Sequence, residues 1–180
     1  ETAAPIVDTL TAGIPLWSEM EFGARHLDAP CVAVTGTNGK TTVANATAAM
    51  LEHTGVKVCA AGNIGTALSS VVGESWDVVV VEASSFQLRF TEAFHPVAAA
   101  LLNVAPDHLD WHASEDEYRA AKYRIYREAK AAVVNRADAV AVDSASHIDN
   151  VITFGLDEPE EDHYGLRREE ERTYLARGDA

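Results

Sequence analysis

The chain has 180 residues, 47% of them hydrophobic, and its 28 acidic side chains outnumber the 14 basic ones, giving a formal charge of −14. This composition excludes disordered and collagen-like chains and is typical of one soluble domain with a small appendage. The negative charge disfavours a broad contact with phosphate backbones, so we expect no nucleic-acid partner. The net negative charge is still compatible with a small anionic ligand that binds where the local potential is positive.

Signals for disulfides, membranes and export are weak. The two cysteines, Cys31 and Cys59, are too few for a disulfide framework. The longest apolar run, 97–102, is far shorter than the roughly 20 residues of a membrane-spanning helix. The first ten residues lack the basic side chains of a secretory signal. We therefore expect a cytoplasmic protein without membrane insertion.

Residues 31–155 alternate short apolar runs with helical stretches, which is the pattern of a mostly parallel sheet with flanking helices. The predicted strands are 31–35, 56–59, 78–82, 97–103, 132–135, 139–142 and 151–154. The predicted helices are 41–53, 66–72 and 114–130. Four consecutive valines at 78–81 show no alternation, so this strand should be covered on both faces. The sequence therefore predicts the α/β class.

The two ends of the chain differ from this middle part. Residues 5–27 predict a helix, a short strand at 14–17 and a second helix that starts with Ser18 and Glu21 in a capping-box pattern. Ser114 and Glu117 repeat that pattern. Near the other end, eight acidic residues within 157–172 predict a solvated turn or hairpin edge, and the RTYLAR segment after them predicts a short strand.

The strongest chemical signal is TGTNGKTT at 35–42, between the apolar run CVAVT and a helical stretch. A glycine-rich turn there can direct backbone N–H groups and the positive end of the helix dipole at phosphate oxygens. Lys40 would neutralise the β- and γ-phosphates, and the Thr41 hydroxyl would bind magnesium. The strict phosphate-loop pattern is not met, because Val34 occupies the first glycine position. The alternative is an ordinary Gly-Asn turn that caps a helix.

A carboxylate ends the apolar run WDVVVVE. Glu82 falls at the carboxyl end of a predicted strand, which is where open α/β sheets bind ligands. It resembles a Walker B acid and would hold the same magnesium ion as Thr41. The alternative is a carboxylate that only caps the turn at Ser84 and Ser85.

One lysine lies on the apolar stripe of a predicted helix. Lys122 shares a helical face with Tyr118, Ile125 and Ala129, so it points toward the body of the protein. Its ammonium either reaches water along the aliphatic stem or is desolvated. Desolvation would lower its pKa and leave a neutral amine that can react with carbon dioxide, giving a metal-binding carbamate.

The segment NVAPDHLDWH at 103–112 places two aspartates and two histidines within six residues behind another predicted strand. This cluster suggests a metal or phosphate site. His108 and His112 have the i,i+4 spacing of zinc ligands on a helix, but Leu109 replaces the glutamate of the H-E-x-x-H pattern. A structural, hydrogen-bonded role for either histidine is the alternative.

Together these motifs resemble the central domain of the Mur ligases, ATP-dependent amide ligases that build the peptide of bacterial cell-wall precursors. GTNGKTT, GNIG at 62–65, VEASSFQL at 81–88, NVAPDHLDWH and YRAAKYRIY at 118–126 follow in the family's order. GNIG together with SSFQL is similar to the members that add D-glutamate to UDP-N-acetylmuramoyl-L-alanine. The resemblance implies that residues 1–27 end an N-terminal domain and linker. Residues 28–180 would then be a truncated central domain with a P-loop and a small antiparallel appendage at its C-terminal end.

The resemblance also implies roles for individual residues. It assigns the binding of the ATP phosphates to Thr37, Asn38, Gly39, Lys40, Thr41 and Thr42. It assigns magnesium to Thr41, Glu82, His108 and a carbamate on Lys122. Catalytic roles would fall to Lys40, His108 and Lys122, and contacts with the uridine-nucleotide substrate to Asn63, Ser84 and Gln87.

The implied reaction passes through an acyl phosphate. Because the resemblance covers one domain of three, we expect the 180 residues alone to bind nucleotide weakly and to ligate nothing measurable. Three alternatives stay open: another Mur-type or folylpolyglutamate-type ligase, a P-loop ATPase that drives a conformational change, and a noncatalytic nucleotide-binding module.

Overall fold

An eight-stranded sheet carries the fold in the computed structural model, which describes residues 4–105, 107 and 112–179. The strands are β1 (Cys31–Thr35), β2 (Val58–Gly62), β3 (Val78–Glu82), β4 (Ala98–Leu101), β5 (Ala131–Asn135), β6 (Asn150–Phe154), β7 (Tyr164–Glu169) and β8 (Arg172–Arg177). Their order across the sheet is β2-β3-β1-β4-β5-β6-β7-β8. Neighbours pair in parallel except β7 and β8, which form an antiparallel hairpin. The predicted α/β class, with a mostly parallel sheet and an antiparallel C-terminal appendage, is confirmed.

Helices connect and flank the strands. The α-helices are α1 (Ala4–Thr11), α2 (Glu19–His26), α3 (Lys40–His53), α4 (Ser85–Arg89), α5 (Glu115–Tyr123) and α6 (Ala139–Ser144). Two 3₁₀ turns lie at Leu68–Val71 and Arg124–Tyr126. Helix α3 follows β1 directly, so its N-terminus lies at the carboxyl edge of the sheet.

The centre of the sheet is buried on both faces. Val79, Val80 and Val81 of β3 are fully buried, as the unbroken run of valines predicts. Met20 of α2 and Leu88 of α4 pack into the same core. Part of the N-terminal segment therefore belongs to the packed body, and the domain boundary at residue 27 stays a prediction.

Residues 139–142 form the first part of α6, so the strand predicted there is wrong. Asp138 decides the outcome, because its Oδ1 accepts a hydrogen bond from the Ala141 N–H at 3.1 Å and caps the helix. Ala141 is buried, whereas Val140 and Val142 are exposed. The valines thus lie on the solvent side of a short helix and pair with no strand.

The N-terminal half differs from the prediction in two places. Residues 14–17 form no strand, and Ile14 and Trp17 are exposed. Residues 66–72, predicted as a helix, contain only the four-residue 3₁₀ turn. The apolar pattern alone did not determine either element. Residues 66–72 have no side-chain cap to start an α-helix, and residues 14–17 have no neighbouring strand among the described residues to pair with.

The helix predicted at 114–130 starts as expected but ends early, because α5 stops at Tyr123. Tyr126 explains the break: its hydroxyl donates to the Val133 carbonyl at 2.9 Å and accepts from the Leu101 N–H at 3.1 Å. These two bonds tie the 3₁₀ turn to β4 and β5. A tertiary contact therefore overrides the local helical preference.

Both predicted capping boxes are half formed. The Ser18 hydroxyl accepts from the Glu21 N–H at 3.0 Å, and that of Ser114 accepts from the Glu117 N–H at 3.1 Å. The glutamate carboxylates bond elsewhere, Glu117 to the Ala113 N–H at 2.7 Å. The serines were predicted correctly because capping is local, whereas neither glutamate carboxylate is used to close the box at the N-cap backbone.

Two general expectations can be compared with the fold. Among the helices of the described residues, none has the length and hydrophobicity needed to cross a bilayer. Cys31 and Cys59 are both free thiols. Burial raises the pKa of the Cys31 thiol to about 12, so it stays protonated at neutral pH.

A buried carboxylate fastens α2 to the segment after α4. Glu21 is fully buried, and its Oε2 accepts from the N–H groups of Glu92 at 2.7 Å and Ala93 at 2.9 Å. Its Oε1 accepts from Arg25 Nε at 2.7 Å. Burial by itself raises the pKa of Glu21, but the hydrogen bonds from Ala93, Glu92 and Arg25 outweigh it and hold the pKa below the ordinary value of 4.5.

We expect E21Q to lower the free energy of unfolding by about 2 kcal/mol at pH 7, because charged hydrogen bonds are lost at a buried site. Since the folded pKa is depressed, this stabilisation is present above pH 4.5 and is lost as the pH falls through the folded pKa. Chemical denaturation of both proteins from pH 7 to 3 should therefore show the gap closing in acid. The exposed Glu52 provides the control E52Q, and an equal loss there would contradict the prediction.

Candidate functional site

Parallel pairing brings four strand ends to one edge of the sheet. β1 lies between β3 and β4, and β2 lies on the far side of β3. Thr35, Glu82, Gly62 and Leu101 end these strands, and Glu82 is in register with both Val34 and Gly62. The motifs predicted to form the site follow these ends, so topology alone gathers them on one rim.

The glycine-rich segment between β1 and α3 forms a turn that faces solvent. Asn38, Gly39, Thr41 and Thr42 are exposed. Gly39 is the N-cap of α3 with a φ of 83°, a left-handed conformation that suits glycine. Because Gly39 has no side chain to cap the helix, the first N–H groups of α3 have no intrahelical acceptor and no acceptor from the N-cap side chain. This geometry favours the binding of an anion at the helix N-terminus.

A neighbouring segment holds the turn in place. The Asn103 carbonyl accepts from the Thr37 N–H at 2.9 Å, and its side-chain Oδ1 accepts from the Asn38 N–H at 2.9 Å. Its Nδ2 donates to the Asn38 carbonyl at 3.0 Å. Lys40 Nζ donates to the Thr37 carbonyl at 3.1 Å, so its ammonium lies beside the turn. Sequence reasoning gave Asn103 no role, and the sequence offered no more than an asparagine at the end of the strand predicted at 97–103.

Glu82 is buried at the base of the turn. Its Oε2 accepts from the Thr41 hydroxyl at 2.7 Å, and its Oε1 accepts from Asn63 Nδ2 at 2.9 Å. Both donors are neutral, so these contacts leave the carboxylate charge uncompensated by a cation. The structure thus brings the oxygens of Thr41 and Glu82 together, and their binding of magnesium stays a prediction. The alternative, a carboxylate that only caps the next turn, is not what this geometry shows.

Lys122 lies behind the turn and is 2% exposed. Its Nζ donates to the Gly36 carbonyl at 2.8 Å and lies 4.7 Å from the centre of the Tyr118 ring. Burial lowers the pKa of this ammonium, the nearby charge of Lys40 lowers it further, and Asp107 opposes both, leaving a pKa of about 7. Of the two alternatives, the structure supports desolvation and a partly neutral amine rather than an ammonium in water.

Ser84 and Gln87, predicted to contact substrate, form the capping box of α4. Gln87 N–H donates to the Ser84 hydroxyl at 3.2 Å, and Ser84 N–H donates to Gln87 Oε1 at 3.0 Å. The N-cap Ser84 lies two residues after Glu82, so the box fixes the chain just beyond the carboxylate. A contact of these side chains with a nucleotide stays a prediction.

His112 has a well-packed environment. Its Nε2 lies 3.0 Å from the Ser85 hydroxyl, and its ring contacts Phe86 and Tyr118 at centroid distances of 5.7 and 5.2 Å. Within residues 4–105, 107 and 112–179, no three His, Cys, Asp or Glu side chains gather as a metal site. The zinc interpretation gains no support from this part of the chain. His108, predicted to be catalytic and metal-binding, lies outside the described residues.

The assembled groups suit phosphate chemistry. The turn offers backbone N–H donors and the Lys40 cation to an anion. Beside it, Thr41 and Glu82 offer the hard oxygen ligands that magnesium prefers. Lys122 adds an amine with a lowered pKa, and groups of this kind cluster at functional sites.

The chain is related to a known family of proteins. Residues 34–176 match the family model described as the Mur ligase middle domain. The chain belongs to the Mur ligase family. Two curated UDP-N-acetylmuramoylalanine–D-glutamate ligases, from Legionella pneumophila (strain Paris) and Burkholderia cenocepacia (strain HI2424), are 43% and 41% identical to it over 93% of this chain. The chain spans 38% and 37% of their lengths.

Solved structures share the Mur ligase fold with this chain. A UDP-N-acetylmuramoyl-L-alanyl-D-glutamate–2,6-diaminopimelate ligase superposes with a TM-score of 0.70 at 24% identity, over 83% of this chain and 38% of that one. MurF from Thermotoga maritima, solved with ADP, gives 0.65 at 21% identity over 96% and 42%. FolC from E. coli, solved with DHPP and ADP, gives 0.63 at 16% identity over 97% and 55%. At these identities the likeness concerns the fold.

We expect the stability of the wild type to rise relative to K122M between pH 7 and 10. The unfolded chain keeps the Lys122 proton up to the ordinary pKa of 10.5, whereas the folded chain loses it near 7. The cost of the buried charge is therefore complete below pH 7 and is relieved above it. Denaturation curves of both proteins across this range provide the measurement.

A difference between the two proteins that does not change with pH would contradict the lowered pKa. Direct titration of the Lys122 amine by NMR in the wild type tests the same value without any variant.

Proposed function

We propose that this chain is the ATP-binding centre of an amide ligase that adds D-glutamate to UDP-N-acetylmuramoyl-L-alanine. The observation that carries the proposal is the pairing of Thr41 with buried Glu82 at the base of the solvent-facing turn, with the Lys122 amine behind it. The 41–43% identity to ligases named for D-glutamate supports this amino acid among the alternatives. Residues 1–27 would end a preceding domain, and 28–180 would form the central one.

The phosphates of ATP would bind at the turn. Gly39, Lys40, Thr41 and Thr42 offer N–H groups at the start of α3, and Thr37 and Asn38 flank them. Lys40 would exchange its bond to the Thr37 carbonyl for the transferring phosphate and neutralise the charge that develops there. The carboxylate of UDP-N-acetylmuramoyl-L-alanine would attack the γ-phosphorus, giving an acyl phosphate and ADP. The amine of D-glutamate would then displace phosphate and form the amide.

Magnesium fits the Thr41–Glu82 pair. The buried carboxylate has hydroxyl and amide donors on its two oxygens, so exchange of the Thr41 hydrogen bond would leave two oxygen ligands for the ion. A bound magnesium ion would supply charge neutralisation for the phosphates. We propose His108 and a carbamate on Lys122 as further ligands.

The properties of Lys122 suit carbamate formation. Carbon dioxide reacts with the neutral amine, and a pKa of about 7 makes a large neutral fraction available at physiological pH. The product is an anion, which removes a buried cation beside Lys40. From the resemblance to the family we propose Asn63, Ser84 and Gln87 as contacts for the uridine nucleotide. Asn63 donates to Glu82, and Ser84 and Gln87 lie on the next turn. Because ATP and the UDP-linked substrate belong to metabolism inside the cell, we propose a cytoplasmic location.

We expect E82Q to reduce the enhancement of ATP binding by Mg²⁺ at least as much as the roughly 10- to 100-fold that loss of an outer-shell metal partner costs. The amide cannot supply the anionic ligand. Calorimetric titration with ATP, with and without Mg²⁺, measures the effect. Asp77, an exposed carboxylate that accepts from the Lys57 N–H before the start of β3, provides the matched control D77N. A Mg²⁺ effect unchanged in E82Q would contradict the assignment.

The reaction itself can be tested in the full-length ligase that carries these residues. We expect ADP release to require both UDP-N-acetylmuramoyl-L-alanine and D-glutamate, and to remain absent when folate replaces the uridine nucleotide. K122A should lose most activity and recover part of it when short carboxylic acids replace the carbamate. The isolated 180 residues should show no D-glutamate-dependent phosphate release.

Other outcomes would redirect the assignment. ATP turnover without any carboxylate substrate would favour a P-loop ATPase, and activity with folate would favour a folylpolyglutamate-type ligase. Equal activity of K122A and the wild type in buffer that contains bicarbonate would contradict the carbamate.

A further inference from the structure

We propose that Asn103 is a positioning residue that sets the conformation of the phosphate-binding turn. The proposal rests on the function given above and adds to it a residue from outside the turn. Asn103 follows β4, whereas the turn follows β1, and the two segments meet only because these strands are neighbours.

The contact has the form of a two-point clamp. Asn103 Oδ1 accepts from the Asn38 N–H at 2.9 Å, and its Nδ2 donates to the Asn38 carbonyl at 3.0 Å. These groups belong to the two peptide units on either side of the Asn38 Cα. One side chain therefore fixes the orientation of both units. The Asn103 carbonyl adds a third bond, from the Thr37 N–H at 2.9 Å.

A second bond pattern extends the clamp to the preceding residue. The Thr37 hydroxyl accepts from the Ala105 N–H at 3.0 Å and lies 2.9 Å from the Tyr118 hydroxyl. Two successive residues of the turn are thus held by the segment after β4. Both contacts of the Thr37 hydroxyl require Thr37 to keep its position. The Asn103 clamp supports that position because it fixes the adjacent residue, Asn38.

The turn needs such support because its sequence is flexible. Gly36 and Gly39 flank Thr37 and Asn38, and glycine loses more conformational entropy on ordering than any other residue. A turn that is ordered before the nucleotide arrives does not lose that entropy on binding. Asn103 would therefore raise the affinity for phosphates without supplying a phosphate ligand of its own.

The chemistry of the clamp restricts which side chain can form it. It requires a donor and an acceptor at the same reach, which the asparagine amide provides. Leucine has a similar shape and neither group. Aspartate keeps the acceptor for the Asn38 N–H and loses the donor.

The chain offers a matched control on the next strand. Asn135 ends β5, its Oδ1 accepts from the Ala137 N–H at 3.1 Å, and its Nδ2 lies 3.5 Å from the Leu102 carbonyl. N135L removes the same amide near the same sheet edge but touches no residue of the turn through these bonds.

The test compares N103L, N103D and N135L with the wild type in two measurements. The first is the exchange rate of the Asn38 amide hydrogen, measured by NMR on the nucleotide-free chain. We expect about tenfold faster exchange in N103L, as for the loss of one hydrogen bond, and near wild-type exchange in N103D and N135L. Core amides of β3 report that each variant is folded.

The second measurement is the dissociation constant for Mg²⁺-ATP, by calorimetry on the wild type, N103L and N135L. We expect a rise of about tenfold in N103L and none in N135L. N103D is left out of this comparison, because its carboxylate would also repel phosphate.

Wild-type exchange at Asn38 in folded N103L would overturn the proposal, and so would wild-type ATP affinity in a variant with fast exchange. If N103L does not fold, loss of the ordinary Asn38 protection in N103D would overturn it as well. A wild-type chain that binds no ATP would contradict the proposed function instead, and the Asn38 exchange rates would still decide whether the clamp exists.

Discussion

The parallel pairing of β1 with β3 on one side and β4 on the other determines where the candidate site lies. Each of these strands ends at the same edge, so the turn after β1, the carboxylate of β3 and the segment after β4 meet without long connections. Burial reinforces this arrangement. The central strands are covered on both faces and are mostly apolar, so polar residues lie mainly at the strand ends, on the rim of the sheet. Glu82 of β3 and Thr35 of β1 cross this division, because both are polar, part of a strand and buried.

Two buried charges of opposite sign lie close to the turn, and their environments differ. Glu82 receives hydrogen bonds from Thr41 and Asn63, which lower the cost of burying its charge. Lys122 donates to the Gly36 carbonyl and lies over the Tyr118 ring, yet burial still lowers its pKa to about 7. The carboxylate thus has two hydrogen-bond donors that a cation could join, whereas burial favours the neutral form of the lysine. This difference between Glu82 and Lys122 suits a site that binds a metal ion and phosphates.

How much of this could be predicted depended on the range of the interactions involved. The buried valine strand, the glycine-containing turn before α3 and the inward face of Lys122 follow from patterns within a few residues, and they were predicted correctly. The helix at α6 was missed because the Asp138 cap outweighed two valines. The early end of α5 depends on Tyr126 bonding to β4 and β5, which no local pattern contains. The clamp by Asn103 was invisible for the same reason, since it exists only once strand order is known.

Gly62 ends β2 with a φ of 101°, and a Cβ there would collide with the Glu82 carbonyl oxygen. The Asn63 N–H donates to that same oxygen at 2.8 Å. The spacing between the two strand ends is therefore set by main-chain atoms and not by the loop's side chains. For protein engineering, Gly62 is therefore a position to leave untouched, because any larger residue there would push the ends of β2 and β3 apart.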